Sequence, residues 1–472
     1  MQTRLQYIKY DDVAQGFLIL LLFAQLFFYN GIYLFVGAFV LGFVLYYLQQ
    51  PYKPSVFSLI FVYHFIQISA GVWLSNYLGV DINFRSPSTG VATIASYVGV
   101  VLLFLPVIYY QNKIPPFNRD DLKRYALKIS TRRVFVAYLI SYFVANSISA
   151  AAFRIDWLTQ IALALVNLKW VIFLLFGFLV ILKGEMKKIF FLAIGLEFIS
   201  GFFSYFSDFK MVIFFTAFLF LTFIKEVKFK TLFIAITGIL FAAYLGVFWT
   251  SIKGEYRKFL NQGSRTQTVQ VTQEEAMNKL IDLVQQGREE SQDNPAANFL
   301  DRLQYTYHLA KTMDNVPAII PFQQGSNWGE TILFVFTPRV LNPEKPKFEA
   351  TVKTRKYTGL AYAGQRQGAS FSLGYFADGY IDFGLVGMFF PILLIGFIYG
   401  MLYFYFVKNT SNNILVNYAV VGALFMEFTA FEVDSTRLLG RLYIYALTFY
   451  LLKVFFFPWF LEQISIKEPA SK

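Results

Sequence analysis

Long apolar stretches recur along this chain with short polar joints between them, and that recurrence constrains the fold more than any other feature. A helix needs about 20 mainly apolar residues to cross the hydrocarbon core of a bilayer. Stretches of that kind fall near 14–29, 32–48, 55–78, 92–110, 134–152, 168–183, 189–206, 211–224, 231–250, 379–406, 414–431 and 443–460. The reading is an all-α polytopic membrane protein with about twelve transmembrane helices. With 57% hydrophobic and 15% charged residues among 472, composition excludes an ordinary soluble domain. The opening "MQTRLQYIKYDDVAQ" runs directly into the first stretch, so no cleavable signal is expected.

The joints assign an orientation. Between 111 and 133, Lys113, Arg119, Lys123, Arg124, Lys128, Arg132 and Arg133 outnumber Asp120 and Asp121, which places that loop in the cytoplasm. Counting spans in both directions puts Arg4, Lys9, Lys53, "KGEMKK" (183–188), "KEVKFK" (225–230) and Lys408 on the same side. The turns at 30–31, 79–91, 153–167, 207–210 and 432–442 then face out, and so does the long segment 251–378. Three parts follow: an N-terminal bundle of about nine helices over 1–250, an extracytoplasmic loop domain over 251–378, and about three helices over 379–472. The formal net charge of +12 is assigned to cytoplasmic loops and lipid headgroups, not to nucleic acid. A chain without Cys holds no disulfide, thiolate metal site or cysteine nucleophile, and two His leave little for a histidine-rich metal site.

The outer segment carries its own helical patterns. "TQEEAMNKLIDLVQQG" opens on a capping box, Thr272 with Glu275, and places Met277, Leu280, Ile281 and Val284 on one face. A second amphipathic helix is expected over 297–313, with Arg302 beside its apolar stripe. The apolar patch from Thr331 to Thr337 is too short to span, so it is expected at the outer membrane surface, with Arg339 at headgroup depth. Beyond it, 337–370 holds Arg339, Lys345, Lys347, Lys353, Arg355, Lys356 and Arg366 against Glu344 and Glu349. Arg matches phosphate oxygens with a planar fork, so a lipid-linked phosphate or diphosphate fits this charge, and membrane lipid is the alternative partner. Lysines 345–356 also fit a solvated basic loop; Lys353 is expected to be expendable.

"FTPRVLNPEKPKF", followed by "FSLGYFADGYIDFGLVGMFF", resembles the signature of bacterial oligosaccharide repeat-unit polymerases, the O-antigen polymerase (Wzy-like) group. In that group an aromatic-x-Pro-Arg segment ending in Lys-Pro precedes a pattern close to Gly-Glu-x-Tyr-x-Asn-Phe-Gly. Pro338, Arg339, Lys345 and Pro346 match the first part, and Tyr380, Phe383 and Gly384 the second; Asp378 and Asp382 replace the usual Glu and Asn. The resemblance covers about 300–405. It implies a GT-C-like glycosyltransferase of the bacterial cytoplasmic (inner) membrane, with its site facing the periplasm. Such an enzyme moves a growing glycan from undecaprenyl diphosphate onto a new lipid-linked repeat, so undecaprenyl-diphosphate-linked oligosaccharide is donor and acceptor, and a chain-length regulator protein is a candidate partner.

That chemistry needs cations for the diphosphate leaving group and a base for the acceptor hydroxyl. Arg302, Arg339 and Arg366 are the candidates for the diphosphate, supported by Lys345 and Arg355; with Arg in that role neither metal nor cofactor is required. Asp378 and Asp382 share a helix face at the mouth of the tenth span and are the candidate base, or else they cap that helix. Glu432, Asp434, Arg437 and Arg441 form another outer turn that reads as salt-bridged or functional, and Glu197 inside a span must be paired or line a cavity. Tyr375 and Tyr380, with Trp328, Tyr357 and Tyr362, suit stacking on sugar rings or an interfacial aromatic belt. His308 reads as structural or saccharide-stacking, and His64 as packed in the bundle. An O-antigen ligase shares these features. A flippase or transporter of lipid-linked glycan would spread charge through several spans in symmetric halves, whereas here it gathers in one outer loop.

Overall fold

The computed structural model describes residues 27–152, 159–203, 209–224, 229–264, 269–286, 294–337, 342, 344–345, 348–362, 364 and 370–466. Among these the chain is helical, with one isolated antiparallel bridge between Ile129 and Ser465. In order the helices are α1 (Gly31–Leu48), α2 (Val56–Leu78), α3 (Thr89–Asn112), α4 (Arg119–Leu127), α5 (Thr131–Ala152), α6 (Thr159–Val166), α7 (Leu168–Lys183), α8 (Lys187–Ser200), α9 (Phe209–Phe223) and α10 (Phe229–Leu260). They continue as α11 (Gln273–Gln286), α12 (Pro295–Leu303), α13 (Thr306–Asn315), α14 (Ser326–Phe336), α15 (Ala350–Thr358), α16 (Tyr375–Gly387), α17 (Phe389–Asn409), α18 (Ile414–Met426), α19 (Ser435–Phe455) and α20 (Phe457–Ile464).

Six stretches among the described residues are long and apolar enough to cross a membrane: α1, α2, α3, Ile161–Lys183, α17 and α19. Helices α9 and α18 are apolar but shorter. Large apolar side chains point outward from several of these helices, with Leu192 72%, Phe390 70% and Phe455 75% exposed. Water would penalise such a surface and lipid does not, so the chain is a multi-pass membrane protein. Residues 14–26 of the expected first span lie outside the described residues.

Sequence and structure part company at three places. The run 379–406 is not one helix: α16 kinks at Gly384, whose φ of 70° and ψ of −169° are open to glycine and closed to other residues, and it ends at Gly387 before α17 begins at Phe389. The run 443–460 belongs to α19, which starts at Ser435 and gives way to α20 before Pro458. The helix expected over 297–313 is two, because Gln304 is extended (ψ 131°) and the Tyr305 N–H turns away to the Gln67 carbonyl at 3.0 Å. The capping box forms as expected, with Glu275 N–H donating to Thr272 Oγ1 at 3.2 Å and Thr272 N–H to Glu275 Oε2 at 2.8 Å.

One hydrophobic core runs through the bundle, and it includes residues of the long segment, among them Leu309, Val316, Trp328 and Tyr357. Its aromatic centre gathers Phe57, Phe104, Tyr399, Tyr403 and Phe425, with Phe57 and Phe425 4.6 Å apart. Helices α3 and α17 approach closely because Gly396 and Gly400 present no side chain to the backbone of Leu103 and Pro106. A smaller core joins α10 and α11 through Trp249, Tyr256, Ala276 and Leu283.

The bundle has two ends. At one, the Lys/Arg-rich joints meet: the Lys53 ammonium donates to the Gln111 and Ile114 carbonyls at 2.9 and 2.7 Å, Ser130 N–H to Ile464 O at 2.8 Å, and Asn413 to Tyr125 O at 3.1 Å. At the other, α12 to α16 pack over α2, α3 and the turn before α19.

Candidate functional site

The second end holds a concentration of charge. Helix α12 begins at Asn294, whose side chain accepts from Ala297 N–H at 3.1 Å, with Pro295 fixing the first turn. It lies between α2 and α10 and brings Arg302 to α10, where Nη1 faces the Thr250 carbonyl at 3.4 Å. On α10, just past the stretch 231–250, Lys253 and Arg257 are four apart and share a face. Lys210, at the start of α9, completes the group: Arg302, Arg257 and Lys210 all act on Lys253. Burial first, then these three cations, push the Lys253 ammonium down to about 8, while Glu432 pulls it up.

Glu432 is the carboxylate of this group. Burial pushes it up from the ordinary Glu range, and the Gln67 side chain, Lys210, Lys253 and Arg441 pull it down. Gln67 holds the turn on both sides, donating from Nε2 to Glu432 Oε2 and accepting at Oε1 from Phe431 N–H at 2.8 Å.

Directly below lies a polar knot. Asp378, on α16, is fully buried; Oδ1 pairs with Lys353 Nζ at 2.7 Å, and Oδ2 accepts from Ser435 N–H at 2.8 Å and Ser435 Oγ at 2.6 Å. Asp434 caps α19, with Oδ1 accepting from Arg437 N–H at 2.9 Å, and Oδ2 accepts from Ser372 Oγ at 3.2 Å. Burial and the Asp378 charge push Asp434 up. Asp382 caps a different helix, accepting from Asn327 and Trp328 N–H of α14 at 3.2 and 2.8 Å. Burial pushes Asp382 up and those two amides pull it down.

The remaining sequence candidates are distributed as follows. Arg339 and Arg366 lie outside the described residues. Lys345 donates to the Phe334 carbonyl and, at 2.8 Å, to that of Thr337, over the Phe334 ring; this is the C-terminal end of α14, where carbonyls favour a cation. With Glu330, Leu333, Thr337 and Asn342 it lines a cavity of about 290 Å³. Arg355 is exposed and donates to the Tyr362 carbonyl, 2.7 Å from Nε. Tyr375 and Tyr380 are buried, their hydroxyls engaged with His64 Nε2 at 3.0 Å and the Val316 carbonyl at 2.9 Å. His308 stacks on Tyr305 at 4.5 Å and meets the Tyr362 hydroxyl at 3.0 Å; burial pushes it down to about 4, so it is neutral at pH 7. Glu197 is paired with Lys169 at 2.8 Å and accepts from the Tyr138 hydroxyl at 3.0 Å. Among the described residues no cluster of three His, Asp or Glu could hold a metal ion.

Of the site, then, Arg302 comes together with Glu432 and Arg441 as charges of one group, while Asp378 and Asp382 end on separate partners. Lys253 and Arg257 were missed by sequence reasoning. The signal available was position: both follow directly on the end of the apolar stretch 231–250, where a headgroup would lie.

Residues 113–433 match the family described as "Domain of unknown function (DUF8712)". The chain belongs to that family. No curated protein and no solved structure matches it. The matched range runs from the basic loop before α4 to the turn carrying Glu432, so this DUF8712 protein holds Lys210, Lys253, Arg257, Arg302 and Glu432 inside the family's extent and Asp434 to Arg441 just beyond it.

Proposed function

We propose that this DUF8712 protein is a glycosyltransferase that polymerises undecaprenyl-diphosphate-linked oligosaccharide repeat units into a surface polysaccharide, an O-antigen, capsule or exopolysaccharide. It works in the bacterial inner membrane, with about twelve GT-C-like spans and residues 251–378 outside. The observation that carries the reading is the gathering of Lys210, Lys253, Arg257 and Arg302 about a half-buried position at the end of the bundle covered by the long segment. Four cations at a membrane edge match a lipid diphosphate in charge and depth. Burial first, and then the other three cations, lower the proton affinity of Lys253, so an anion brought beside it would be favoured.

In this reading Arg302 and Lys253 hold the diphosphate, and the resemblance alone assigns Arg339 to the same role. Their charge stabilises the leaving group as the sugar transfers, so part of the barrier is lowered by fixed cations in a water-poor site. Lys169 and Glu197, charges inside the bundle, satisfy each other. That arrangement favours an enzyme acting at the surface over a transporter with a charged path.

The test is polymer formation by the purified protein in lipid nanodiscs, supplied with the undecaprenyl-diphosphate repeat extracted from the same organism. A ladder of products is expected. Arg302→Ala, Lys253→Ala and Arg339→Ala should each remove it while the protein still inserts, and Arg339→Lys should restore little because the bidentate fork is gone. Transfer to lipid A core without a ladder would identify a ligase, and movement of the lipid between leaflets without new glycosidic bonds a flippase.

A further inference from the structure

The proposed transfer needs a group to take the acceptor hydroxyl's proton, and α16 with the turn before α19 brings four carboxylates to this end of the bundle. Three are fastened by backbone amides: Asp378 by Ser435, Asp382 by Asn327 and Trp328, and Asp434 by Arg437. An acid so held is orienting helices, and protonating it would release a helix end. Glu432 differs. Its recorded partner is a side-chain amide, that of Gln67, which is itself fixed from the other side by Phe431 N–H at 2.8 Å. It is also the carboxylate that faces the cation group, coupled to Lys210 on α9, Lys253 on α10 and Arg441 on α19, with the hydroxyls of Tyr63 on α2 and Tyr305 nearby.

We propose that Glu432 takes the proton from the acceptor hydroxyl, with Gln67 as its positioning residue, an assignment that rests on the polymerase reading above. The acceptor O–H gives its proton to the Glu432 carboxylate, and the oxygen's freed pair forms the bond to the anomeric carbon of the donor. The bond from that carbon to the diphosphate breaks, and its electron pair leaves on the diphosphate, opposite Lys253 and Arg302. The charges balance locally: one negative charge is discharged at Glu432 as one appears beside the cations.

The pH dependence follows from the same geometry. Glu432 works only when ionised, and burial raises it, so the rate falls as pH drops through a value above the ordinary Glu range. Lys253 works only when protonated, so the rate also falls as pH rises through about 8. A bell results.

The experiment is the initial rate of polymerisation against pH for the wild type, E432Q, E432D and K253R, with binding of the undecaprenyl-diphosphate repeat and melting temperature in detergent measured alongside. E432Q should lose about 10²–10⁴-fold in turnover, bind the repeat as the wild type does, and lose the acid limb. E432D, which keeps the charge one methylene short, should recover part of the rate and show an acid limb displaced from the wild type's. K253R should carry the alkaline limb upward, since Arg stays protonated. Near-wild-type turnover by E432Q, or an acid limb surviving in it, overturns the assignment. Should E432Q melt far below the wild type, E432D decides alone: an acid limb unmoved in it overturns the assignment. A wild type that binds the repeat and makes no polymer overturns the polymerase reading instead, so the two failures are told apart.

Discussion

Replacing Lys353 should cost this protein far more than its place in a basic run suggests. Its ammonium is largely buried against Asp378, whose side chain has no exposure at all, so Lys353→Met leaves a buried carboxylate without its counter-charge. Breaking one half of such a pair costs about 3–5 kcal/mol, and a clear drop in melting temperature in detergent is expected. Lys353→Met with Asp378→Asn should recover much of it; an unchanged melting temperature in the single variant would show that the pair contributes nothing. Asp382 makes a smaller claim. Asp382→Ala removes a cap from α14 and should lower stability by about 1–2 kcal/mol, with Asp382→Asn milder, measured in the same assay. The contrast with the sequence is instructive at this scale. Lys353 reads as one of seven interchangeable cations between 337 and 370, because nothing local distinguishes a lysine over a solvated loop from one aimed at an acid 25 residues on. Arg302 was legible because it borders a helical stripe. Lys253 and Arg257 were not, since only the seating of α12 between α2 and α10 gives them a common neighbour.

The helix announced by a cap at Thr272–Glu275 was legible, and both halves of its capping box form, whereas α4, which opens on the same device at Asn118 and Asp121, reads only as a basic loop. Breaks inside continuous apolar runs were not legible either. The run 379–406 has no polar residue at Gly384 to mark the change of direction, and a lone Gly is tolerated in a membrane helix. The break matters to the site, because α16 alone carries Asp378 and Asp382 back under the outer segment while α17 goes on into the bundle. Gly384→Ala should therefore cost about 1–3 kcal/mol, the penalty for a side chain in a glycine-only conformation; a melting temperature equal to the wild type's would refute the strain. Gly396→Leu should be worse for packing, since it would force α17 away from α3 along their closest approach.

For the molecule as a whole, the absence of Cys makes sidedness directly measurable. A cysteine placed at 274 on exposed α11 should react with a membrane-impermeant reagent added outside intact cells, and one at 120 on α4 should not. The opposite pattern would invert the orientation and remove the outer site with it. Sequence could supply the apolar helices, but not the continuity of the core, which ties Trp328 and Tyr357 of the long segment to α2, α3 and α17. One more bond bears on how the protein is made. The backbone of Lys128 and Ser130, at the foot of α5, pairs with Ile464 and Ile466, more than three hundred residues further along. At about 5–20 residues per second on the ribosome, that foot waits roughly 15–70 s for its partner. During that interval the carbonyl of Lys128 and the N–H of Ser130 have only water to pair with, so the foot of α5 is completed last, when translation delivers α20.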